Sequence, residues 1–158
     1  MNLKGLFEKW NLKGLKIKTA IFEAEFAPKD SDKDAAWDMY IELLTRITTQ
    51  PLSDTDGIEK TALDSIYSIF GITRSIIKQH GRDCEGFAKI AIVILNQIIR
   101  PFTAKWHKLS ADGAFNDVEQ CKEFRSELKE LQVKLTNYSK MIADIADVED
   151  FTELEDLS

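Results

Sequence analysis

The sequence has few of the residues on which catalytic and metal sites are usually built. Among its 158 residues there are two cysteines and two histidines, namely Cys84, Cys121, His80 and His107. The cysteines are far apart and form no CxxC pair, so neither a disulfide framework nor a zinc ribbon is predicted. Two buried thiols in a reducing cytoplasm are expected instead.

Motifs for common enzyme classes are also missing. The chain contains no HExxH for a zinc protease, no GxxxxGK[ST] for a phosphate loop and no GxGxxG for a dinucleotide fold. A carboxylate-bridged di-iron bundle needs glutamate three residues before histidine, and those positions hold Ile77 and Ala104. The sequence therefore predicts no enzyme, no cofactor and no metal site.

Long hydrophobic runs and an excess of basic charge are lacking too. The longest apolar run, Ile90 to Leu95, has six residues, whereas about 20 are needed to cross a bilayer. Lysines and glycines interrupt the first apolar positions before a signal-peptide core can form, so a cytoplasmic protein is expected. The net charge of −6 argues against general binding to phosphate backbones, and no nucleic-acid partner is expected.

What the sequence does contain is a series of helical patterns, favoured by a composition with only seven glycines and three prolines. They cover residues 31–51, 58–80, 84 to the proline at 101 or beyond, and 117–147. In the first, an apolar arc includes Trp37 and Ile41, which are expected to face inward. The second should end at Gly81 as a C-cap, and Gly71 weakens its middle, so a kink is expected there.

The last helix has the most regular pattern. Its apolar positions follow alternating spacings of three and four residues: Cys121, Phe124, Leu128, Leu131, Leu135, Tyr138, Ile142 and Ile145. Packing within one chain and a dimeric coiled coil both fit this spacing. The flanking positions lack opposite charges, which favours packing within one chain.

The two ends of the chain have opposite charge. Residues 1–18 hold five lysines and one glutamate, while residues 144–158 hold seven acidic residues and no basic one. Both ends also carry apolar residues that could be buried in assembly: Leu3, Leu6, Phe7, Trp10, Phe151 and Leu154. The ends are expected to be solvated termini, to pair with each other within or between protomers, or to bind separate partners.

A third candidate surface follows the stretch RPFTAKWHKLS, residues 100–110. If the helix continues through Pro101, the polar residues fall within about 40° of one line at 100° per residue. These residues are Lys89, Asn96, Arg100, Thr103 and His107. Phe102 and Trp106 point inward. The polar line is either a solvated helix face or a strip that binds an acidic partner or an anion, with Arg100 as its strongest contact.

The sequence therefore predicts an all-α fold, an elongated up-down four-helix bundle with a short N-terminal arm that is partly extended. Its expected divisions are an arm at 1–30, a bundle at 31–147 and an acidic tail at 148–158. The expected function is a non-catalytic interaction or regulatory module, an adaptor that assembles with itself or with a protein partner through its terminal segments. The alternatives are a small anionic-ligand sensor beside Pro101 that also uses Arg74, a membrane-surface contact by the arm, and an enzyme of unknown reaction.

Overall fold

The computed structural model describes residues 1–46, 49–50, 58–152 and 154. The fold is all-α, as predicted. Its α-helices are, in chain order, α1 (Leu3–Lys9), α2 (Thr19–Glu23), α3 (Asp30–Leu44), α4 (Glu59–His80), α5 (Glu85–Ile94), α6 (Arg100–Ala111) and α7 (Val118–Ala146). Short 3₁₀ helices, Gly81–Cys84 and Ala114–Asn116, connect α4 to α5 and α6 to α7.

Local sequence signals account for several of these boundaries. The Asp117 carboxylate accepts the Glu119 N–H at 3.0 Å and begins α7. Helix α4 ends where Gly81 adopts a φ of 72°, a left-handed conformation that glycine tolerates. Helix α3 is shorter than predicted, since it ends at Leu44, seven residues before Pro51. Residues 47–48 and 51–57 of that segment lie outside the described residues.

A π-helical turn, Leu95–Ile99, joins α5 to α6 in one uninterrupted helical path. Here the Arg100 N–H bonds to the carbonyl of Leu95, five residues back. Pro101 follows directly, in the first turn of α6, where its missing N–H is tolerated. The wider turn therefore lets the helical path pass the proline without a break.

The core lies between the long helices, and α3 packs most extensively against α7. Seven of the eight apolar positions predicted for α7 are buried within the protomer, and Cys121 is half-buried. This supports packing within one chain over a dimeric coiled coil. Within Glu59–Ala111, one window of 18 residues is apolar enough to cross a membrane, and half of it is buried in the fold.

The N-terminal segment belongs to this core. Leu3, Leu6, Phe7 and Leu12 are all buried in the main apolar cluster. The N-terminal arm, predicted to be partly extended, contains helix α2 at Thr19–Glu23. An isolated antiparallel bridge between Asn2 and Glu25 follows it.

Candidate interaction surface on helices α4 and α6

The structure separates the predicted polar line into exposed and buried members. Lys89, Asn96 and Arg100 are exposed, and His107 is half-buried. Thr103 was expected on this surface and is instead 3% exposed. Its hydroxyl donates to the carbonyls of Ile99 and Arg100 at 3.3 and 3.2 Å.

The π-helical turn explains why Thr103 was misplaced. A turn with an extra residue rotates every later position back from an ideal helix of 3.6 residues per turn. Positions after residue 99 are therefore displaced from the line drawn through Lys89 and Asn96. Phe102 and Trp106 are buried, as predicted.

Arg100 reaches across to helix α4. Its guanidinium lies over the ring of Phe70, 4.8 Å from the ring centre. Its Nε donates to Oδ1 of Asn96 at 3.2 Å. A cation over an aromatic ring at an exposed site is stabilised by about 0.5–1 kcal/mol. The guanidinium is thus held in place and keeps N–H groups available for another acceptor.

Tyr67 and His107 form the next contact along these helices. Their rings meet edge to face, with centres 4.8 Å apart and planes at 80°. The Tyr67 side chain is 53% exposed. The sequence pattern gave no indication of Tyr67, because this residue lies on a different helix from the polar line. The sequence signal that could have identified Tyr67 is a large amphipathic aromatic residue on the polar side of α4.

Arg74 lies beside this pair of contacts. A Cβ added at Gly71 would be 3.8 Å from Nη2 of Arg74, so the Arg74 guanidinium lies next to Gly71. The Arg100 guanidinium lies over Phe70, the neighbouring residue in the chain. In the described part of the chain, no carboxylate forms an ion pair with Arg74 or Arg100. We call Tyr67, Arg74, Asn96, Arg100 and His107 the basic face.

Several other basic side chains among the described residues form ion pairs with carboxylates. Lys105 contacts Glu123 and Glu127 at 3.3 and 2.7 Å. Arg125 contacts Glu59 at 2.9 Å, and both side chains are less than one fifth exposed. The two arginines of the basic face therefore differ from these cations in having no carboxylate partner among the residues described.

The cysteines and His80 have structural roles. Burial raises the pKa of the Cys84 thiol, and nearby Asp32 raises it further; burial also raises the pKa of Cys121. Both thiols are thereby disfavoured as nucleophiles. His80 is the last residue of α4, and its Nε2 lies 2.7 Å from Oδ2 of Asp38 on α3. The described residues contain no cluster of three potential metal ligands.

The terminal segments contact their own protomer. Leu3, Leu6 and Phe7 were expected on a surface for assembly or for a membrane, and in this fold they are at most 5% exposed and pack inside their own protomer. Trp10 is half-buried, and its Nε1 is enclosed without a partner among the described residues. Lys9 forms an ion pair with Asp144 at 2.9 Å, which joins the oppositely charged ends within one protomer.

The acidic tail is held on α3. The Tyr40 hydroxyl donates to Oδ1 of Asp150 at 3.0 Å and accepts the Phe151 N–H. Phe151 is half-buried, with its ring centre 6.2 Å from that of Tyr40. Leu154 is 75% exposed, so it alone among the predicted assembly residues is widely open to solvent.

Neither protein-family models, nor curated proteins, nor solved structures show a significant match to this chain. What the basic face can bind therefore follows from its own geometry.

Proposed function

We propose that this chain is a non-catalytic, cytoplasmic interaction module that binds an acidic protein surface through the basic face. One observation supports it above the others. Arg74 and Arg100 lie beside adjacent residues of α4 and pair with no carboxylate among the residues described, although acidic residues outnumber basic ones by 27 to 21.

The composition of the basic face favours a protein partner. Arginine guanidinium groups bind carboxylates with two parallel hydrogen bonds, and tyrosine and arginine are the residues that contribute most at protein interfaces. The flanks of two helices form a long surface that suits a helix or an extended segment. In the proposal, the four long helices form the up-down bundle that keeps this surface rigid.

The proposal moves the interaction surface away from the N-terminal segment. Leu3, Leu6 and Phe7 contribute to the core of their own protomer, which leaves the basic face as the better surface for a partner. Of the terminal residues, Leu154 remains a candidate for an additional apolar contact.

A fluorescent peptide of glutamate and leucine is a suitable probe for this proposal. We expect it to bind the wild-type chain, with an affinity that falls as salt rises. The double variant Arg74→Glu, Arg100→Glu should bind at least about tenfold more weakly, since two attractive contacts become repulsive. Fluorescence anisotropy measures both affinities.

The double variant Lys122→Glu, Lys134→Glu is the matched control, because both lysines are exposed on α7 and it makes the same change in charge away from the basic face. Equal loss of binding in this control would mean that only net charge matters. That result, or no binding to the wild type at low salt, would contradict the proposal.

The alternative function is a small anionic-ligand sensor. Arg74, Asn96, Arg100 and His107 supply the donors, and the side-chain-free Gly71 leaves room between them. A thermal-melt screen of nucleotides and carboxylate metabolites tests it. A ligand at 100 times its Kd should add about 2.7 kcal/mol of stability. No shift with any anion would reject the sensor.

The third alternative, an enzyme of unknown reaction, would depend on the two histidines. Unchanged cellular function after replacing both His80 and His107 with glutamine would count against it, since histidine is the side chain whose unperturbed pKa best suits a base near neutral pH.

A further inference from the structure

Gly71 lies in the interior of α4, and no contact within the protomer explains why this position is a glycine. A Cβ built there would meet only Nη2 of Arg74, at an ordinary contact distance of 3.8 Å. Glycine is the poorest helix former after proline, so it weakens α4 without improving the packing of the chain itself. Glycine is common where another backbone or ligand approaches closely, and this role would explain it.

Gly71 belongs to a line of residues along one side of α4. Tyr67, Gly71, Arg74 and Lys78 are separated by four, three and four residues, which places them in a row about 16 Å long. Tyr67, Arg74 and Lys78 are exposed, and Gly71 is half-buried. We call this row the α4 line; it offers two cations, one exposed aromatic ring and one position without a side chain.

Helix α3 has a row with the same spacing and the opposite character. Asp30, Asp34, Trp37 and Ile41 are also separated by four, three and four residues. Trp37 and Ile41 were expected in the core and are instead 40% and 39% exposed. Asp30 and Asp34 are exposed and form no ion pair within the described part of the chain. We call this row the α3 ridge.

We propose that the α3 ridge of one copy of this chain binds the α4 line of a second copy, with the two helices antiparallel. In that register the largest side chain meets the position without a side chain, and acids meet bases. The four facing pairs are Asp30 with Lys78, Asp34 with Arg74, Trp37 with Gly71, and Ile41 with Tyr67. The inference depends on the proposed function, because Arg74 and Tyr67 belong to the basic face.

Charge and shape both select a second copy as the occupant. Trp37 is the side chain that needs the most room, and it meets the one position of the α4 line that has no side chain. Asp30 and Asp34 lie at the end of the ridge that faces the cations of the α4 line. The ridge and the line are different surfaces, so a dimer leaves one ridge and one line free for further copies. Exposed ion pairs and a small interface predict a Kd of roughly 10 µM to 1 mM.

Sedimentation equilibrium of the full chain across this concentration range tests the inference. We expect mass to rise beyond that of a dimer at low salt and to fall at high salt. Gly71→Gln places a side chain in the α4 line where Trp37 should fit, and Asp34→Lys reverses the charge that faces Arg74. Each variant should therefore associate at least about tenfold more weakly. Thr61→Gln, on an exposed position of α4 outside the line, should leave association unchanged.

Mixing the two variants is the decisive step. The intact ridge of Gly71→Gln can bind the intact line of Asp34→Lys, whereas every other combination is blocked. The mixture should therefore form one-to-one dimers and nothing larger. The combined variant Asp34→Lys, Arg74→Glu should associate again, because it restores opposite charges; it also covers the case in which Gly71→Gln does not fold.

A monomeric wild type at all concentrations, or a mixture that stays monomeric, would overturn the inference. If that same wild type still binds the acidic peptide, the proposed function stands and only the choice of occupant is wrong. If it binds neither the peptide nor itself, both proposals are wrong.

Discussion

At the scale of single residues, Asp32 shows how one buried carboxylate can join two helices. It is 3% exposed. Its oxygens accept the N–H of Lys29, before α3, and the N–H of Phe87, in the first turn of α5, each at 2.8 Å. The positive end of α5 favours the carboxylate further. The side chain therefore caps the start of α3 and fixes the start of α5 beside it.

Replacing Asp32 with alanine should lower the free energy of unfolding by about 2–4 kcal/mol, because the buried Phe87 N–H loses its partner. Urea unfolding measures this change. Asp34→Ala is the control, since Asp34 is exposed two residues away and should change stability by less than about 0.5 kcal/mol. Equal effects at the two positions would show that Asp32 has no special role.

Gly86 provides a second measurement of the same contact. A Cβ at Gly86 would lie 3.0 Å from both carboxylate oxygens of Asp32. Gly86→Ala should therefore destabilise the wild type and be neutral or stabilising once Asp32 is alanine. A double-mutant cycle isolates this coupling.

The ion pair of Glu59 and Arg125 predicts a pH dependence. Burial, the strongest influence, raises the pKa of Glu59, but hydrogen bonds from its own N–H and from Arg125, with the Arg125 charge, outweigh it and lower the pKa. The pair therefore stabilises the fold above the unfolded pKa, and this contribution is lost as pH falls through the lower folded value.

Glu59→Gln should cost about 1 kcal/mol near pH 7, and the difference from wild type should shrink as pH falls below 4.5. Urea unfolding at a series of pH values measures it. A difference that is constant from pH 7 to pH 3 would mean that the Glu59 charge does not contribute.

At the scale of helices, the π-helical turn also holds the N-terminal segment. Gln97 lies in that turn, and its side-chain amide bonds to the backbone of Lys16 twice. Oε1 accepts the Lys16 N–H, and Nε2 donates to the Lys16 carbonyl, each at 2.8 Å. The wide turn before Pro101 thus positions a side chain that fastens residues 12–18 to the long helices.

Gln97→Ala should lower stability by about 1–2 kcal/mol, because two hydrogen bonds are lost. The more specific result is faster hydrogen exchange at the Lys16 amide, measured by NMR. Gln97→Glu is the matched control, since it keeps the acceptor and should retain part of the Lys16 protection. Unchanged exchange in Gln97→Ala would mean that other contacts hold this segment.

The helices differ in how well the sequence predicts them. Helix α7 could be bounded to within a residue because its apolar period, its Asp117 cap and its length are local properties. The early end of α3 and the π-helical turn could not be predicted, since tertiary packing determines them. Trp37 and Ile41 were placed inward because a broad apolar arc does not reveal which of its sides will find a neighbour.

At the scale of the whole molecule, the N-terminal segment is part of the core. Burial of Leu3, Leu6, Phe7 and Leu12 contributes roughly 6–12 kcal/mol, which is comparable with the total stability of a domain of this size, about 5–15 kcal/mol. Deletion of residues 1–18 should therefore unfold the chain or leave it partly folded. Thermal unfolding and binding of a hydrophobic dye measure this.

Deletion of residues 152–158 is the comparison, since it leaves the contacts of Tyr40 with Asp150 and Phe151 in place. It should change the melting temperature little. If the chain without residues 1–18 melts like the wild type, the buried N-terminal contacts are not needed for the fold.

The candidate surface was only partly predictable from the sequence. Arg100, Asn96 and His107 could be grouped because they share one helical path. Tyr67 and Phe70 could not be added, because the contact between α4 and α6 is long-range and no motif reports it. Thr103 was misplaced because the π-helical turn rotates it inward.

Mapping the acidic peptide on the chain by NMR tests the central claim most directly. The account predicts that peptide titration shifts the amides of residues 67–78 and 96–107 and leaves those of residues 1–18 and 148–152 unchanged. In the Arg74→Glu, Arg100→Glu variant these shifts should disappear, while the spectrum should remain that of a folded protein. Shifts centred on the terminal segments, or shifts that persist in this variant, would contradict it.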